Sequence, residues 1–70
     1  MNESITVYVN GKPVSIYRGM KVRHALLSFD YDLYKAVLSG RIIVKDENGF
    51  ALGLEGALNK GAKIFAIEEK

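Results

Sequence analysis

Apolar and polar residues alternate with a period of two at the start of the chain, change to a helical spacing in the middle, and return to short apolar runs at the end. Ile5, Val7 and Val9 alternate with Thr6 and Tyr8, and Val14 and Ile16 alternate with Ser15 and Tyr17, the pattern of two strands that each bury one face. Asn10-Gly11 stands between them. Both central positions of a type I′ turn need positive φ, which Asn and Gly accept, so this dipeptide predicts a two-residue hairpin. Such a turn fixes the register: Val9 faces Lys12, Tyr8 faces Pro13, Val7 faces Val14, Thr6 faces Ser15 and Ile5 faces Ile16. The β-branched residues then share one face, and Thr6, Tyr8, Pro13, Ser15 and Tyr17 share the other.

After Arg18-Gly19, Val22, Ala25, Leu26 and Phe29 form one stripe of an amphipathic helix, with Lys21, Arg23 and His24 pointing elsewhere. Asp30 has the character of an N-cap for a second helical stretch containing Leu33, Ala36 and Val37, which Gly40 stops. The two stretches are either separate or one bent helix. "RIIVKDENG" predicts a strand over 41–46 and a turn at Glu47 to Gly49, and "FALGLEG" a short strand weakened by glycine. "AKIFAIEE" forms the last strand. With Ile64 and Ala66 toward the helix, Phe65 and Ile67 point to the opposite side. The expected fold is α+β, a mixed four- or five-stranded sheet with one main helix packed on one face, in a single domain over residues 1–70.

This order of elements is that of the β-grasp, or ubiquitin-like, superfamily. "VYVNGKPVSIYRGMKVRHAL" resembles the first half of two-iron ferredoxin-type domains at the N-termini of hydrogenase and respiratory-complex subunits. "LNKGAKIFAIEE" is similar to the closing segment shared by sulfur carriers, by the TGS domains of tRNA synthetases and stringent-response enzymes, and by those ferredoxins. The resemblance implies a domain that carries an iron–sulfur cluster, a sulfur atom or an RNA contact, and that places its last strand beside its first.

The residues needed for the first two cargoes are missing. A two-iron cluster takes thiolate ligands, and the chain has no cysteine and one histidine, so no cofactor or metal is expected. Under the resemblance, the cluster ligands would fall in "YKAVLSGRI" and near Leu54, where aliphatic, polar and glycine residues stand. His24 is expected to be an exposed helix residue. Sulfur carriers work through a C-terminal diglycine, whereas this chain ends "AIEEK". Ser15, Ser28 and Ser39 have no evident catalytic partners, and Asp30 with Asp32 reads as a helix start, so no enzymatic activity is expected. No leader-like N-terminal pattern or membrane-length apolar run is present, which makes a cytoplasmic location the expectation.

Two surfaces remain. The expected one is the open face of the sheet, where Tyr8, Pro13, Tyr17 and Phe65 would form an apolar and aromatic patch that docks onto another protein. The alternative is a TGS-like RNA contact through the basic stretch Arg18, Lys21, Arg23 and His24, which no acidic residue interrupts. A net charge of +2 favours the first.

Overall fold

The computed structural model describes residues 3–68. Strands β1 (Ser4–Val9) and β2 (Lys12–Tyr17) pair antiparallel in the register that Asn10-Gly11 dictates, continuing to Ser4 opposite Tyr17. Asn10 has φ 53° and Gly11 φ 82°, the two left-handed residues of a type I′ turn. Ile5, Val7, Val9, Val14 and Ile16 are all buried, so the alternation is realised residue by residue.

One main helix is the expectation from sequence; the described residues form two, α1 (Val22–Phe29) and α2 (Tyr31–Leu38), each of eight residues. Asp30 breaks the helical run between them. Its backbone is extended, at φ −164° and ψ 114°, its N–H donates to the Leu26 carbonyl at 2.8 Å, and its Oδ1 accepts from the Asp32 N–H at 3.0 Å. A single residue therefore closes one helix and caps the next, because a short carboxylate satisfies the orphan N–H groups of a first turn. Gly40, at φ 86°, ends α2 in a Schellman arrangement: the Gly40 N–H donates to Val37 O and the Arg41 N–H to Ala36 O.

Strand β3 (Ile42–Asp46) pairs antiparallel with β4 (Lys63–Glu68), and β4 lies parallel beside β1, giving the sheet order β2-β1-β4-β3. "FALGLEG" is not a fifth strand. Only Ala51 forms an isolated bridge, to Lys45, with the Asp46 N–H donating to Phe50 O and the Leu52 N–H to Val44 O. Two residues further on, the backbone turns to α1: the carbonyls of Leu54 and Gly56 accept the N–H groups of Arg23 and Val22 at 3.0 and 2.9 Å. Carbonyls that serve a helix N-terminus are not free for a sheet ladder.

Both helices pack on the same side of the sheet. Leu26, Val22 and Ala25 meet Val7, Val9, Val44 and Ile64 in a core without a buried polar or charged residue among those described. The two hairpins are joined along a narrow seam, since β1 and β4 are in register only at Tyr8–Lys63 and Val9–Ile64. Asn10 lengthens that seam, its Oδ1 accepting the Ala66 N–H at 2.9 Å.

Candidate functional site

The face of the sheet away from the helices is set by the parity of the core. Val7, Val9 and Ile64 point inward, so Thr6 and Tyr8 of β1, Pro13, Ser15 and Tyr17 of β2, Lys63, Phe65 and Ile67 of β4, and Ile43 and Lys45 of β3 point outward. Burial along β4 follows this assignment: Ile64 is 1% exposed, Phe65 36% and Ile67 47%. Register brings Ile43 opposite Ile67 and Lys45 opposite Phe65, while Tyr8 lies beside Lys63 on the neighbouring strand. Tyr8, Gly11, Lys63 and Phe65 line one shallow depression of about 410 Å³. Tyr8 is half-buried against this floor, and Pro13 is exposed beside it, opposite Tyr8.

Tyr17 stands apart from the other three predicted residues. It faces Ser4, four residues along β1 from Tyr8, or roughly 13 Å at the rise of a strand. Between the two tyrosines the outer face is hydroxylic, with Thr6 opposite Ser15 and Ser4 Oγ hydrogen-bonded to Ser15 Oγ at 2.8 Å. Tyr17 instead borders a second depression with Met20 and Ser28. The sequence pattern puts Tyr17 in one patch with Tyr8 and Phe65; the structure keeps it on that face but sets it apart from them, because distance along a strand does not register in a parity argument.

The outer edges of the sheet offer few free backbone groups. The Arg18 N–H donates to Glu3 O, so Pro13, Ser15 and Tyr17 turn their backbones outward from β2. Pro13 has no N–H, the Tyr17 N–H reaches Met20 Sδ at 3.4 Å, and the Tyr17 carbonyl accepts from Met20. On β3, Val44 O and Asp46 N–H are occupied by Leu52 and Phe50. Strand addition at either outer edge is therefore poorly provided for, whereas the outer face is open.

The basic stretch is interrupted in space, though not in sequence. Arg18 Nε pairs with Glu3 Oε1 at 2.9 Å, and Glu55 receives both Lys21 Nζ at 3.1 Å and Arg23 Nη1 at 3.3 Å. The Lys21 hydrogen bond, with the charge of Arg23 beside it, holds the Glu55 carboxyl below the usual carboxylate range. His24, expected to be exposed, is half-buried and folded back on the helix start: its Nδ1 accepts the Lys21 N–H at 2.9 Å, and its own N–H donates to Lys21 O. Because the first N–H groups of α1 are taken up internally, this helix end presents no ready cradle for a phosphate.

Other apolar groups are exposed on the helix side, and the sequence reading had not singled them out: Tyr31 at 60% and Leu38 at 58% on α2, and Phe50 at 69% in the turn after β3. Lys35 Nζ covers the Tyr31 ring at 5.7 Å and Tyr34 tilts against it at 6.4 Å, which leaves Leu38 and Phe50 as separate contacts. Among the described residues no three of His, Cys, Asp or Glu converge to share a metal ion, and no helix is long and apolar enough to cross a membrane. In comparisons with known proteins, the chain matches no protein-family model, no curated protein and no solved structure.

Proposed function

We propose that the chain is a β-grasp domain that docks onto another protein through the outer face of its sheet and performs no catalytic step of its own. The observation that carries this reading is the adjacency of Tyr8, Phe65, Ile67 and Ile43 on three neighbouring strands, uncovered by either helix. Four bulky side chains on the same face of β1, β4 and β3 make a surface that a partner can cover at once, and burying each apolar side chain is worth about 1.5–3 kcal/mol when complete. Tyr8 and Phe65 supply the aromatic anchors that dominate such contacts. The parallel pairing of β4 with β1 beneath the helices supports the β-grasp assignment, and with it a kinship to cluster-bearing ferredoxin domains in which the scaffold persists without its cluster. The RNA reading is weaker, since Glu3 and Glu55 offset three of its four basic residues.

The test is capture of a partner from cell lysate by immobilised chain. Tyr8→Ala and Phe65→Ala, both on half-open sites, leave the melting transition nearly in place, and each lowers capture by about tenfold or more. Arg23→Ala leaves capture unchanged. Loss of capture on removing Arg18, Lys21 and Arg23, with indifference to the two aromatics, would overturn the docking reading.

A further inference from the structure

We infer that the partner presents an acidic surface around an apolar anchor, an inference that rests on the docking reading above. The charged residues at outward-facing strand positions are Lys45 and Lys63, both lysine. Lys45 sits directly opposite Phe65, and Lys63 lies beside Tyr8, so each of the two aromatic residues has a lysine as its neighbour on the adjacent strand. Neither makes an ion pair among the described residues, whereas the basic residues near α1 are paired with Glu3 and Glu55. Four described carboxylates are directed elsewhere: Asp30 and Asp32 serve the start of α2, Asp46 is turned inward in register with Ile64 and accepts the turn N–H groups of Asn48 and Phe50, and Glu68 shares the inward parity of Ile64 at the end of β4.

An apolar floor bordered by two lysines that have no ion-pair partner among the described residues is complementary to a side chain such as Leu or Phe set among Asp and Glu. A second copy of this chain is a poor occupant, because apposing two such faces brings four lysines together. Single-stranded nucleic acid would share the anionic chemistry and could stack on the rings, but Ile67 and Ile43, two of the four bulky side chains, offer no stacking plane.

The probe is a displayed library of short random peptides, selected on the intact chain at low salt, with enriched peptides then measured by fluorescence anisotropy. The expected peptides carry a bulky apolar residue flanked by Asp or Glu, lose about tenfold in affinity with Phe65→Ala, and lose about tenfold or more when Lys45 and Lys63 are both changed to Glu. The neutral pair Lys45→Gln and Lys63→Gln gives an intermediate loss, and circular dichroism checks the fold of each variant. Peptides that depend on Phe65 but are neither acidic nor sensitive to the lysine changes would overturn this inference and leave the docking reading standing. Failure to enrich any peptide, or enrichment indifferent to Phe65, would overturn both. So would the absence of peptide enrichment together with binding of labelled oligouridylate that is lost in Tyr8→Ala and Phe65→Ala, which assigns the face to nucleic acid.

Discussion

Asn10 carries two independent duties, and a short series of substitutions separates them. Its backbone sits at φ 53° in the hairpin turn, and its Oδ1 accepts the Ala66 N–H at 2.9 Å across the seam between the two hairpins. The hydrogen bond is exposed, so its net worth is about 0.5–1 kcal/mol. The left-handed backbone costs an alanine about 1–2 kcal/mol more than it costs Asn or Gly. Asn10→Asp keeps both the acceptor and a tolerant backbone and should lie close to the parent. Asn10→Gly keeps the turn but loses the bond, a loss of about 0.5–1 kcal/mol. Asn10→Ala loses both, about 2 kcal/mol, out of the roughly 4–10 kcal/mol total typical of a chain this size. Thermal unfolding followed by circular dichroism resolves these steps, since 1 kcal/mol moves the melting temperature of a small domain by about 4–8 °C. If the Gly variant matches the parent, the Asn10–Ala66 bond adds nothing; if the Ala variant is no worse than Gly, the turn is not held at positive φ.

Leu26 is fully buried between the sheet and α1, and Leu26→Ala should lose about 2–5 kcal/mol in the same denaturation assay, enough to bring the fold near its limit. Glu55 has a lowered folded-state pKa through Lys21 and Arg23, so its stabilising contribution is complete above the ordinary value of 4.5 and is lost as pH falls through the lower folded value. The melting temperature of the parent should therefore decline more steeply than that of Glu55→Gln on acidification through that window, and parallel curves would show that Glu55 makes no such contribution. Phe65→Ala and Tyr8→Ala should each weaken partner capture about tenfold, while Tyr17→Ala, at the other end of the outer face, should leave it within about twofold.

The first hairpin was legible residue by residue because one dipeptide fixes its turn and strict alternation fixes its faces: Val7 meets Val14 and Ile5 meets Ile16 as the pattern requires. The end of α2 was legible at Gly40 for a similar local reason. The break at Asp30 was half legible, since a capping residue is compatible with either a bend or a full stop until its φ and ψ are known. "FALGLEG" misled because its apolar residues suit a strand while its backbone carbonyls are drawn to α1, a tertiary demand with no local signature. The same holds for the site. Parity placed Phe65 and Ile67 outward, but the lysines that flank them come from pairings between strands far apart in the chain, and the ion pairs of Glu3 and Glu55 with the basic stretch join segments the sequence keeps separate.

The most direct test of the docking face is residue-resolved. The ¹⁵N-labelled chain, titrated with the partner it captures and followed by amide chemical-shift changes, should show its largest perturbations at Tyr8, Lys63, Phe65, Ile67, Ile43 and Lys45, with Lys21 to His24 and the exposed side of α2 unmoved. Perturbations concentrated at Lys21 to His24, or along Tyr31 to Leu38, with the outer strand positions silent, would contradict the account.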